Sequence, residues 1–169
     1  MASVQISGVI HQRQLTARAC WYTCLQMGVR FHESVRQASL SGLSSPENFP
    51  HMQSRFAAGS NPSWAEWRAW AQECGFTPLN MSPNVTGVCQ VLSRYGPIIY
   101  SGTWGATFDG HVVVLTGVNT DSGNLSIDDP LEASAPVTRQ IVTYMSRLAQ
   151  TLWENPLFVY GGAAPPIGY

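Results

Sequence analysis

The chain has 169 residues, which suits one domain with a sizeable core. Only 11% of its residues are charged and the net charge is −1, so the sequence lacks the basic surface that nucleic-acid binding requires. No apolar run approaches the length that crosses a membrane, and no Sec-type signal is expected in the N-terminal segment, which has no basic stretch followed by an apolar run.

Val4 to Ile10 alternates apolar and polar residues and predicts a short strand or an extended arm. Gln14 to Met27 predicts a loop entering a helix with Cys20 at the point of entry, the helix weakening at Gly28-Val29 and ending near Phe31. Arg30 to His51 is polar and predicts a short helix followed by loop. Ser63 and Glu66 form a capping-box pattern, Trp64, Trp67, Trp70, Ala71 and Cys74 recur at helical spacing, and Gly75 stops the helix. The three tryptophans predict core packing. A further helix is expected over Val85–Tyr95, closed by Gly96-Pro97.

Ile98 to Tyr100 predicts a strand, followed by a glycine-rich loop from Gly102 to Gly110. His111 to Val118 is the strongest strand pattern in the chain. The turn Thr120 to Asn124 then leads into a partner strand, Leu125–Ile127, which stops at Asp128-Asp129-Pro130. Thr138 to Leu152 carries Ile141, Met145, Leu148 and Leu152 at helical spacing, and Leu157–Tyr160 predicts a last strand. Residues 1–160 are expected to form the domain and 161–169 a loose Gly/Pro-rich tail. Helices first and strands later imply α+β rather than alternating α/β.

Four cysteines stand at positions 20, 24, 74 and 89. Their spacing matches no small disulfide scaffold, and the absence of Cys-x-x-Cys and His-x-x-x-His pairs argues against zinc. Reduced thiols are expected, with no metal and no cofactor. Cys20 in a first helical turn meets unpaired N–H groups and the positive end of the helix dipole, which favour a thiolate. Gln14, six residues upstream, could face the same spot. His111 follows the flexible Asp109-Gly110 at a strand's start, and Asp129 ends the adjoining strand of the same hairpin. A nucleophile, a base, an orienting acid and oxyanion donors are thus all available. Asp128 and Asp129 point to opposite faces of their strand, so only one reaches His111, and Asp109 reads as a turn residue. Gln12 competes with Gln14 and loses on its spacing to Cys20. Trp104, in the loop before His111, is a candidate cleft residue.

Gln14, the six-residue step to Cys20, the following Trp21, the strand Gly110–Gly117 and the Asp129-Pro130 end together resemble papain-like cysteine peptidases. The resemblance is to compact bacterial branches: bacteriocin-leader peptidases and secreted papain-like effector or toxin peptidases. It implies a helical lobe bearing the nucleophile helix, packed against a twisted antiparallel sheet with a cleft between. It also implies Cys20 as nucleophile, His111 as base and then acid, Asp129 rather than Asp128 as orienter, and Gln14 in the oxyanion hole. Trp21, Trp104 and Gly110 are the expected substrate contacts. Arg18-Ala19-Cys20-Trp21 stands where plant-type papains carry Cys-Gly-Ser-Cys-Trp.

The expected activity is peptide-bond hydrolysis through a thioester. The role expected from the resemblance is a toxin or effector, delivered by a specialised secretion system to a protein substrate in the cytoplasm of a target cell. It would be held in check at home by a cognate immunity or inhibitor protein. Neither nucleic acid nor membrane is an expected partner. All nine basic residues are arginine, which fits a GC-rich genome or, more sharply, escape from lysine-directed tagging. The bacteriocin-leader branch implies cleavage after Gly-Gly, and Gly161-Gly162 would then be an autolysis site. The same triad could instead deamidate glutamine or transfer acyl groups, and a non-catalytic binding module is the rival outside enzymes.

Overall fold

The computed structural model describes residues 3–36, 42–79, 84–103, 110–141 and 157–160. The elements run β1 (Val4–Gln5), α1 (Cys20–Arg36), a 3-10 turn (Pro46–Asn48), α2 (Pro50–Ala57), α3 (Trp64–Glu73), β2 (Phe76–Leu79), α4 (Val85–Tyr95), β3 (Ile98–Thr103), β4 (Gly110–Asn119), β5 (Asn124–Asp128), β6 (Val137–Gln140) and β7 (Leu157–Tyr160). The strands form one antiparallel sheet in the order β2-β7-β3-β4-β5-β6, with β1 also paired to β4. The expected α+β class is observed.

Period-two alternation splits the core in two. Ile99, Val112, Val114, Phe158 and Tyr160 pack on one face beneath α1, α2 and α3, while Ile98, Tyr100, Val113, Leu115 and Val159 pack on the other against α4. The expected packing of the nucleophile helix against the antiparallel sheet is observed: α1 lies directly on β3 and β4. The reason is Gly28. A Cβ there would stand 2.8 Å from Phe76 Cζ and 3.0 Å from Ile99 Cδ1, so the missing side chain is what lets the helix press onto the sheet. Gly28 was expected to weaken the helix; tertiary contact overrides that propensity, and α1 continues to Arg36.

The Ser63–Glu66 capping box closes as expected, with both reciprocal hydrogen bonds present. Trp67 and Trp70 are core residues. The helix expected from Thr138 is corrected at its start: Val137–Gln140 forms edge strand β6, pairing with Asn124–Ile127. Backbone donors of the exposed sheet edge claim this β-branched pair before the helical spacing begins, and residues 142–156 lie outside those described. The expected loose tail, 161–169, also lies outside them. Strand β2 and helix α2 were not anticipated. Pro78 sits within β2, which is tolerable because β2 is an edge strand.

Candidate active site

Cys20 is the first residue of α1, and no acidic residue stands in that turn to compete with a thiolate. Its N–H is among those that helix geometry leaves without an intrahelical acceptor. One turn on, the Cys24 thiol donates to the Val112 carbonyl at 3.2 Å, which ties the start of α1 to the start of β4. Burial pushes the Cys24 pKa well up, so the group stays a neutral S–H donor.

Antiparallel pairing sets His111 opposite Gly102 and carries β5 back alongside β4, so that the residue following β5 returns to His111. His111 Nε2 lies 2.8 Å from Asp129 Oδ1, and Cys20 stands near enough to the imidazole to favour its protonated form. Burial alone would lower the His111 pKa, but the Asp129 and Cys20 hydrogen bonds and charges outweigh it and lift the value to about 9. Burial works in the opposite sense on Asp129, and the hydrogen bonds from His111 and from the Leu131 N–H hold its carboxyl below the usual range.

Asp128 takes a different partner. It is buried, and its Oδ1 lies 3.4 Å from His11 Nδ1; burial raises its pKa, against the pull of His11 and Thr116. His11 Nε2 is 3.1 Å from the Glu132 carbonyl. The Gln14 N–H donates to the Pro130 carbonyl at 2.9 Å. The N-terminal arm is thus fastened at two points to the turn that bears Asp129. The Gln14 side chain donates one amide hydrogen to the Thr16 carbonyl at 2.7 Å, while its Oε1 is buried without a partner.

A cavity of about 90 Å³ opens beside Cys20, walled by Trp21, Trp64, Trp67, Gly110 and Val112 among others. Cys20 itself is only 4% exposed, so access to the sulfur is through this cleft. Trp21 and Gly110 both wall this cavity, and the Trp21 ring lies 5.2 Å from that of Trp70. Trp104 and Asp109 lie outside the described residues. The walls Trp64, Trp67 and Val112, and the His11–Asp128 pair, were missed by the sequence reading. The helical spacing of the tryptophans revealed a buried face, but nothing in it marked the end of that face next to Cys20. Among the described residues, no cluster of His, Cys, Asp and Glu could hold a metal ion, and no helix is long and apolar enough to cross a membrane.

The family profile described as papain-like cysteine protease AvrRpt2 matches residues 4–148. A solved structure described as a C39-like peptidase from Bacillus anthracis superposes with a TM-score of 0.66 at 14% identity, covering 97% of this chain and 100% of that one. The peptidase domain of Streptococcus ComA, a bi-functional ABC transporter involved in quorum sensing, gives a TM-score of 0.54 at 15% identity over 90% of this chain and 97% of that one. At such identities these two likenesses speak for the fold. No curated protein matches the sequence.

Proposed function

The chain belongs to the papain-like cysteine protease family and is a cysteine peptidase, and on that premise we propose that Cys20, His111 and Asp129 are its triad and that it serves as an effector or toxin inside another cell. The observation that carries the triad is the imidazole hydrogen-bonded to the Asp129 carboxylate, with Cys20 beside it. With His111 raised to about 9, the imidazole carries a proton near neutrality that it can give to a leaving amine.

Cys20 Sγ attacks the substrate carbonyl carbon, and the C=O pair moves onto oxygen, facing the Cys20 N–H and the second amide hydrogen of Gln14. The C–N bond then breaks as His111 gives its proton to the leaving amine, and a thioester remains. Water attacks the thioester, His111 takes its proton, and the acid departs with the thiolate restored. Asp129 holds the ring orientation throughout.

The small apolar cavity beside Cys20 supports cleavage at a slender site, and Gly-Gly is the proposed sequence before the cut. The absence of lysine supports a working life in a foreign cytoplasm, reached by a specialised secretion system, with a cognate immunity protein over the cleft at home. N-terminal labelling of proteins from cells expressing the wild type or Cys20→Ala tests activity and sequence together. New termini following Gly-Gly are expected with the wild type alone. Equal termini with Cys20→Ala would overturn the triad, and a gain of about one mass unit on an unbroken target would replace peptidase by deamidase action. Intact mass after incubation tests cutting at Gly161-Gly162, and a pull-down from the producing cell tests the immunity partner.

A further inference from the structure

A second and larger cavity, about 520 Å³, lies between the N-terminal arm and the helices, with Arg13, Leu15, Tyr22, Gln26, Glu47 and Phe56 among its walls. At about 100° per residue, Tyr22 and Gln26 fall on roughly the opposite side of α1 from Cys20 and Trp21, which line the first cavity. An extended chain laid over the helix tip at Cys20 therefore finds a cavity on each side. The arm that walls the second one also carries Gln14, whose neighbour Arg13 is only one Cα step of about 3.8 Å away.

Charge distinguishes this second cavity. Residues 1–32 contain no Asp or Glu but carry Arg13, Arg18 and Arg30, although the whole chain is slightly acidic. Glu47 is already engaged: it accepts from Gln26, from Arg30 at 3.2 Å and from Ser45 at 3.1 Å. Arg13 is exposed and joins none of the ion pairs among the described residues. Next to it, Leu15 is 84% exposed, and the Tyr22 and Phe56 rings stack at 4.4 Å.

We propose that this groove binds the substrate polypeptide on one side of the cut, pairing an acidic residue with Arg13 and seating an apolar one against Leu15 and Phe56. The proposal rests on the peptidase reading above and adds a charge preference that the catalytic groups do not impose. Tyr22, which walls this cavity, directly follows Trp21, which walls the first, so the bound segment is expected within about five residues of the cut, at about 3.3 Å per extended residue.

The test uses peptides centred on Gly-Gly that carry Glu or Gln three to five positions away, on either flank. Glu on one flank should raise kcat/KM about threefold to fivefold over Gln, the scale of an exposed ion pair, and the gain should fade with added salt. Arg13→Gln should remove the gain and Arg13→Glu invert it, each read as the ratio of kcat/KM on the Glu peptide to that on the Gln peptide within one protein. A wild type that cuts both peptides alike, or a gain that survives Arg13→Glu, overturns the proposal. Titration of Cys20→Ala with the uncut peptides gives the same comparison without turnover, and equal binding there also overturns it. Arg13-dependent binding without cleavage by the wild type would place the failure in the triad reading instead.

Discussion

Successive residues at the end of a strand project to opposite sides, and Asp128 and Asp129 use that alternation to serve two histidines, His11 and His111. The sequence alone allowed either acid to be the orienter. Asp129→Asn is expected to lower kcat by about 10² to 10⁴, the scale seen when a triad acid is neutralised, with Asp128→Asn changing it by less than about threefold. Steady-state kinetics on one peptide decide between them, and the reverse ranking would move the orienting role to Asp128. Alkylation separates the thiols in the same way. Burial raises Cys24, and raises Cys74 to about 12, so iodoacetamide near neutrality should mark Cys20 first. Mass mapping that found Cys24 or Cys74 labelled ahead of it would contradict Cys20 as the nucleophile.

At the scale of elements, the position of the nucleophile depends on how closely α1 meets the sheet. Gly28→Ala places a methyl group against Phe76 and Ile99 and is expected to cost about 1 to 3 kcal/mol, read as a lower urea midpoint. Unchanged stability would mean that the sheet yields. The parts of the site legible in the sequence were those fixed by local rules: the capping box of α3, the hairpin joining β4 to β5, and Cys20 at a helix start. Parts set by long-range pairing were hidden. Pro78 masks β2 because only its place at the sheet edge makes it acceptable. Val137 and Thr138 read as the approach to a helix until β5 offers them a ladder. His11 gives no sign of its role until the arm folds back onto Asp128.

At the scale of the whole molecule, the His111 pair links stability to pH. A value near 9 against the ordinary 6.5 means that the fold favours the protonated ring. That contribution is complete below about 6.5 and is lost as pH rises through about 9, and it amounts to about 3 kcal/mol at most. Asp129, held low, contributes above the ordinary carboxyl range and loses that contribution as pH falls through its lowered value. Urea unfolding at pH 6 and at pH 9.5 should show the alkaline loss in the wild type and much less of it in Asp129→Asn. Equal losses in both would remove this coupling.

The hairpin that brings His111 beside Asp129 closes over a short loop, whereas Cys20 meets them only when α1 settles onto β3 and β4. Local contacts close sooner than distant ones, so the thiol is expected to gain its partner late in folding. A nascent or unfolded chain would then carry no assembled site, and peptidase activity would emerge only once α1 has docked on the sheet.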